Sequence, residues 1–199
     1  MSKPLLLSLA VVLASLCSAN ARADWRDVAL PEDQNRIDAS AAAATAALDR
    51  LGADAFGLDE RPLLRALLDA GTQTAEESRL LGDWRCRSLQ VSVSLGVFTY
   101  PAFRCRIRLD EHGKPYFEKL SGSQRRSGYL YANDEGQWVF LGARTVNDQP
   151  QRRYSANQAD ADRTREHDSV GTLEALANDR LRMILDAGDA GVELYELRR

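Results

Sequence analysis

The chain has 199 residues, 44% of them apolar and 28% charged, with a formal charge of −3 at neutral pH. That length can bury a core of its own. The acidic balance argues against nucleic acid as a partner, and two histidines in the whole sequence leave little of the usual near-neutral acid–base chemistry.

Met1 to Ala23 carries Lys3, an apolar run from Leu5 to Leu16 and the small-x-small pattern Ala21-Arg22-Ala23. This order reads as a secretory signal peptide, 1–23. Its removal leaves a single mature domain, 24–199, with a helical part, 24–81, and a β part, 82–199. The run falls short of the ~20 apolar residues of a membrane-spanning helix, and no other segment reads as a transmembrane span. Leu16 is too large for the small residue that precedes a lipidated cysteine, so Cys17 belongs to the leader rather than to a lipoprotein anchor. Losing Lys3 and Arg22 takes the charge to about −5. An even pair, Cys86 and Cys105, remains, and an oxidising compartment such as the periplasm or the exterior would join it as a disulfide. Two independent buried thiols become the better reading if the leader is kept.

Pro31-Glu32-Asp33 starts a helix, with proline in the first turn and acids at the positive dipole end. Ile37, Ala41, Ala44, Leu48 and Leu51 continue it as one apolar stripe, and Gly52 stops it. Asp59-Glu60-Arg61-Pro62 opens a second helix through Leu63, Leu64, Leu67 and Leu68 to Gly71. Thr74 and Glu77 form a capping box for a last turn, Ala75 to Leu81. Helices this short are marginal alone, so their apolar faces are expected to pack on the β part.

From Gly82 the period changes to two. Setting Cys86 directly opposite Cys105 puts the turn at Leu95-Gly96 and pairs Trp84 with Ile107, Ser88 with Phe103 and Arg85 with Arg106. The hairpin then exchanges its apolar face. Near the open end Trp84, Cys86, Phe103, Cys105 and Ile107 oppose Arg85, Arg87, Arg104, Arg106 and Arg108. Near the turn Leu89, Val91, Val93, Phe98, Tyr100 and Ala102 are the apolar set. A bent or bulged strand pair that touches two layers explains this, with Pro101 as the bulge.

Lys114 to Leu120 is the next strand; Ser121 to Gly128 is a loop, Gly128 to Ala132 a strand and Asn133 to Gly136 a turn. Trp138 to Leu141 is the most buried strand, and Arg144 to Asp168 a long polar loop, mobile from Asn147 onward. Val170 to Ala177, Arg180 to Leu185 and Val192 to Leu197 close the chain, with turns at Asn178-Asp179 and Asp186 to Gly191. The fold class is α+β: N-terminal short helices packed on an antiparallel, barrel-like or strongly bent β-sheet.

Both histidines, His112 and His167, sit among turn residues, and none of the common catalytic or cofactor motifs occurs. The acids around Asp160 and Asp186 lack the residue order of a calcium loop and read as turn chemistry. No catalytic residue, cofactor or metal is assigned. Trp84, Tyr100, Phe103, Trp138 and Phe140 are candidates to line a site for a small apolar or amphipathic ligand, with ordinary core as the alternative. Arg125 and Arg126, in a loop rich in flexible amides, are anion-nest candidates. Arg104 and Arg106 on the hairpin are further anion candidates, with pairing to nearby acids as the alternative. The function read from these residues is a non-enzymatic envelope protein that binds a small ligand or a protein partner. The alternatives are a protein–protein inhibitor or assembly factor, and a hydrolase using acidic residues.

Gly82-x-Trp84-x-Cys86-Arg87, Tyr100-x-x-Phe103-x-Cys105-Arg106-Ile107, Lys119, Ser121-Gly122-Ser123-Gln124-Arg125, Trp138 to Gly142, and Val170-Gly171-x-Leu173 with Arg180-x-Arg182 resemble an uncharacterised family of exported proteobacterial proteins, domain of unknown function 4893. The resemblance covers most of the mature chain and implies an envelope protein with no assigned activity. Gly82-Asp83-Trp84 is also similar to the first strand of lipocalin-like barrels. That likeness implies a barrel whose tryptophan is covered by an arginine from the far end of the barrel, here Arg198 or Arg182.

Overall fold

A computed structural model describes residues 23–157, 165–186 and 191–199. The leader and Cys17 lie outside the described residues. Five short helices precede the barrel: α1, Trp25–Val28; α2, Pro31–Asp38; α3, Ser40–Asp49; α4, Arg61–Leu68; and α5, Glu77–Leu80. A two-residue strand, β1 (Thr72–Gln73), lies between α4 and α5. Eight strands follow: β2, Gly82–Ser92; β3, Gly96–Leu109; β4, Pro115–Lys119; β5, Gln124–Ala132; β6, Trp138–Val146; β7, Asp168–Leu176; β8, Arg180–Asp186; and β9, Gly191–Arg198. Each pairs antiparallel with the next, and β9 returns to pair with β2. The sheet is therefore a closed up-and-down barrel, which leaves no free edge.

Closure sorts the side chains by parity. Inward positions on neighbouring strands lie opposite one another: Cys86 with Leu197, Met183 with Tyr195, Leu130 with Phe140. Gly128 and Gly142 are also paired across β5 and β6, where a Cβ on Gly128 would stand 2.4 Å from both Gly142 Cα and Leu141 O. Without side chains there, the two strands coil tightly and leave room for Phe140 and Phe117, whose rings meet edge to face at 5.8 Å.

Below those rings the interior is apolar and full. Trp84, Leu130, Trp138, Leu173, Ala175, Leu181, Met183 and Leu197 are all buried there. The segment before β2 closes this end as a floor. Trp84 Nε1 donates to Leu80 O at 2.8 Å and Trp138 Nε1 to Ala75 O at 2.9 Å, so each buried indole N–H is satisfied by the plug it packs on. The expected capping box does not start the helix: α5 begins at Glu77 with Glu76 as its N-cap and no side-chain cap, so Glu77 stands at the first helical position, not the third, and Thr74 lies two residues ahead of the cap. An arginine does cover the tryptophan, but it is Arg199, with its guanidinium 4.6 Å from the Trp84 ring and donating to the carbonyls of Arg79 and Leu81. Arg198 is paired instead with Glu196, and Arg182 with Glu174.

The helices wrap the outside in two patches. Trp25, Ala29 and Ile37 cover Val139, Leu141 and Val170. Ala44, Ala47, Leu48, Leu64 and Leu67 cover Leu89, Val91, Ile184, Val192 and Leu194. The single helix expected from Pro31 to Leu51 is thus two, broken at Ala39: a straight rod touches a curved wall along one line, and the break lets Ile37 and Leu48 reach different strands. Under α4, Arg182 bonds Glu174 and donates to Leu67 O and Leu68 O, which satisfies carbonyls at that helix's end.

The register of the first hairpin differs from expectation by two residues. Cys86 lies opposite Phe103 and Cys105 opposite Trp84, so the disulfide runs diagonally between Cα atoms 5.9 Å apart. A bulge gives β3 one extra residue around Tyr100-Pro101 against Ser88, and the turn moves to Val93-Ser94-Leu95. The bulge falls where Pro101 suggested. The face exchange on β2, however, is not a bend. Trp84, Cys86, Ser88 and Gln90 all point inward; what changes along the axis is the barrel's own interior, apolar at the floor and polar at the other end.

Two of the expected loops are partly strand. Strand β5 begins at Gln124 and β6 runs to Val146, since each supplies backbone partners to the other over its full length. The following segment is anchored on both sides: Tyr154 donates to Asp33 Oδ2 at 2.6 Å, and Ser155 N donates to Asp168 Oδ1 at 3.0 Å. Residues 158–164, the remainder of the stretch read as mobile, lie outside the described residues.

Candidate functional site

Opposite the floor, the inward positions turn polar on five of the eight strands: Ser88 and Gln90 on β2, Lys119 on β4, Gln124 and Arg126 on β5, Ser169 on β7 and Glu193 on β9. Phase explains it. Each lies two or four residues mouthward of an interior apolar or glycine position on its own strand, so alternation carries them inside. Among them Ser88, Lys119, Arg126, Ser169 and Glu193 are buried.

Arg126 and Glu193 form the frame. Arg126 Nη1 stands 2.5 Å from Glu193 Oε2 and donates to Tyr195 OH at 2.8 Å, while its Nε donates to Ser169 Oγ at 2.9 Å. The other Glu193 oxygen accepts from Ser88 Oγ at 2.6 Å and Gln90 Nε2 at 3.2 Å. A buried ion pair survives only when its remaining donors and acceptors are met in this way. Burial alone would lower the Arg126 pKa, but Tyr195 and Glu193 more than offset it and hold the value above the usual arginine range. Burial, reinforced by Glu193, pushes the Tyr195 phenol up, against the opposing pull of Arg126, and keeps it neutral.

Lys119 is held differently. It is 5% exposed, donates to Gln124 O at 2.5 Å and lies 4.0 Å from the Phe103 ring centre, a cation–π contact. Burial lowers its pKa to about 8; Arg126 and Arg125 push the same way and Glu193 opposes them. Beside it a recess of about 60 Å³ is lined by Ser88, Gln90, Phe103, Ser123, Gln124 and Glu193. Above, a mouth of about 420 Å³ opens between Leu95, Phe98, Tyr100, Arg144 and Val192. Its rim is apolar: Leu95 is 63% exposed, and Phe98 stacks on the 65%-exposed Phe56 at 5.2 Å.

The candidates from sequence divide cleanly. Tyr100 and Phe103 line the mouth and its recess. Trp84 and Trp138 lie beyond the Phe117, Phe140 and Tyr195 rings, Phe140 being one of those rings, and all three candidates are within the filled floor at 3%, 2% and 0% exposure. The Ser121 to Gly128 stretch is not a nest, because Arg125 and Arg126 are in strand β5. Arg126 points inward, whereas Arg125 donates to Gly122 O and faces Asp148 at 3.4 Å. Arg104 and Arg106 are on the outer face, exposed, and Arg106 bonds Asp83 at 2.6 Å. His112 is an exposed turn residue and His167 a half-buried one.

Sequence reasoning did not assign Lys119, Glu193, Ser88, Gln90 or Gln124 to a site. Their signal was parity: Phe117-x-Lys119, Arg126-x-Gly128 and Glu193-x-Tyr195 share the phase of the interior apolar residues. A larger cleft of about 740 Å³ lies outside the barrel between α1 to α3 and the β5–β6 turn. Asp24, Asp38, Asp134 and Glu135 line it, but they are exposed, and Asp38 is paired with Arg26 while Asp24 caps α1.

Among the described residues no group of three or more His, Cys, Asp or Glu residues is placed to hold a metal ion, and no helix is long and apolar enough to cross a membrane. No curated protein and no solved structure matches the chain. The model of one family, described as a domain of unknown function (DUF4893), matches residues 25–197, which takes in the barrel except the last residue of β9 and stops short of Arg199, the cover over Trp84; the chain belongs to that family.

Proposed function

We propose that this protein is a non-enzymatic binding module of the cell envelope that takes a small amphipathic molecule into the open end of its barrel. One observation carries the reading: the barrel is filled at the floor but ends in a solvent-open recess where buried charged groups stand next to exposed aromatic and aliphatic side chains. Sites for small molecules combine such an apolar lining with a few convergent polar groups. Export rests on the leader pattern of Met1 to Ala23, and the Cys86–Cys105 disulfide fits an oxidising compartment. Native mass spectrometry of protein recovered from the envelope is expected to show a copurified small molecule, lost when Phe98→Asp and Tyr100→Asp are introduced together. Recovery without any adduct, or an adduct indifferent to those two changes, overturns the reading.

A second reading, attachment to an acidic protein partner, is favoured by the outer face. Arg104, Arg85, Arg198 and Arg180 stand directly opposite one another across β3, β2, β9 and β8. Glu196 pairs with the last two, while Arg85 and Arg104 make no ion pair among the described residues. Like charges in register are unfavourable, so an external anion would stabilise the row. Pull-down with Arg85→Glu and Arg104→Glu against the unmodified protein tests it. The hydrolase reading has less behind it: Glu193 is the one acid among the described residues lining the mouth, and it is committed to Arg126.

A further inference from the structure

The binding reading leaves the polarity of the ligand open, and the charge inventory of the mouth closes it. Arg126 and Glu193 neutralise each other and spend their hydrogen bonds on Tyr195, Ser169, Ser88 and Gln90. Two cations remain, Arg144 on the exposed rim, which donates to Glu166 O, and Lys119, the buried one. Its ammonium has three donors, of which one reaches Gln124 O, and no carboxylate stands within ion-pair distance of it among the described residues. Glu193 is near enough to act on it but is bonded to Arg126, and a cation that is 95% buried with no carboxylate in contact is costly unless something supplies one. The recess beside it, about 60 Å³, holds roughly two waters' worth of volume, which is the size of a carboxylate group and too small for a ring.

Building on the reading of the mouth as a binding site, we propose that its ligand is an anionic amphiphile, a carboxylate on an apolar body, and that Lys119 is the residue that receives the carboxylate. The carboxylate completes the pairing that the fold withholds, and a charge-assisted N–H to oxygen bond forms in a site already walled by protein. Phe103 stays beneath the ammonium, and the apolar body lies along Phe98, Tyr100 and Leu95 toward solvent. A cationic amphiphile meets Lys119, Arg126 and Arg144 in turn and is repelled. A neutral one leaves the buried ammonium without a partner.

The test uses four probes of matched or truncated shape, octanoate, 1-octanol, octylammonium and acetate, each titrated into the full mature chain and followed by amide shifts in nitrogen-15 spectra. Octanoate is expected to move the amides of Gln90, Phe103 and Gln124 and to bind at least about tenfold tighter than octanol, the factor expected of one charged hydrogen bond. Lys119→Gln should erase the difference and Lys119→Arg should retain most of it. The unmodified protein gives a readout that no folding defect can imitate: octanoate affinity should weaken as pH rises from 7 to 9.5, with octanol unaffected. Octanol binding at the mouth as tightly as octanoate, or octylammonium binding more tightly, overturns the anionic head while leaving the mouth a binding site. If none of the four moves mouth amides, the binding reading falls and takes this one with it. Acetate binding as tightly as octanoate keeps Lys119 as a carboxylate site and removes the apolar body.

Discussion

The two ends of the barrel are built on the same strands by the same alternation and serve opposite ends. At the floor, inward positions are Trp84, Leu130, Trp138, Leu173 and Leu197, and the helical plug spends its carbonyls on the two indoles. At the mouth, inward positions are Ser88, Lys119, Arg126 and Glu193, and none of the described residues fills the recess among them. Burial of apolar surface contributes roughly 25 cal/mol per Å², so the floor stabilises the fold. Buried charge contributes little net stability even when well paired. The mouth is where the fold tolerates cost for the sake of what binds there, and sensitivity to mutation should divide accordingly.

The largest effect belongs to the floor. Phe140→Ala should cost about 3–5 kcal/mol, the range for emptying a large aromatic site in a core that cannot collapse, because the paired glycines beneath the ring leave no side chain to move in. Denaturant melts check this. A loss below about 1 kcal/mol would mean the floor is not a packed core.

Arg126→Met comes next, at about 3 kcal/mol, since it strands Glu193 as a buried unpaired charge. Adding Glu193→Leu should recover most of that loss, and a double-mutant cycle reads the coupling directly. Additivity of the two changes would break the claim that they form one frame.

Replacing Cys86 and Cys105 together by alanine removes a constraint on a loop of about twenty residues, worth about 3 kcal/mol by chain entropy. The measured loss should be smaller, because the hairpin already holds those ends together, and the variant should stay folded with Trp84 fluorescence still that of a buried indole. Peptide mapping without reduction should find the two cysteines joined.

The smallest effect, and the sharpest contrast with the floor, is Lys119→Met. Glu193, Arg126, Arg125 and the Tyr195 ring surround this ammonium, and its pKa is about 8 against 10.5 when free. Below pH 8 both folded and unfolded chains carry the charge, and the folded protein bears its full burial cost. Between 8 and 10.5 the unfolded chain binds more protons, so stability rises with pH and that cost fades. The methionine variant should therefore match or exceed the unmodified protein at pH 7, with the unmodified protein gaining on it as pH rises through that window. Thermal melts of both proteins at several pH values make the comparison. A Lys119→Met loss of several kcal/mol would show the lysine to be structural.

Much of the frame was legible in the sequence. The change of period at Gly82, the bulge at Pro101, the Asn178-Asp179 turn, where both residues have positive φ, and the pairing of Cys86 with Cys105 are local matters of alternation, backbone freedom and thiol count. The register of the first hairpin was not legible, since direct opposition and a diagonal both bring the two cysteines within bonding reach. The break at Ala39 was not either, because it answers the curvature of a wall built from strands far along the chain.

The site lay between these cases. Amino-acid order alone determined that Arg126, Lys119 and Glu193 share a phase with their apolar neighbours, since a strand alternates whatever surrounds it. It did not say which phase faced in: on β2 the arginines at one end and the apolar Leu89 and Val91 at the other occupy the same outer face. Only closure of the barrel decided that Leu89 would be covered by helices while Lys119 went inside, because inside and outside are properties of a closed surface and a strand by itself has neither.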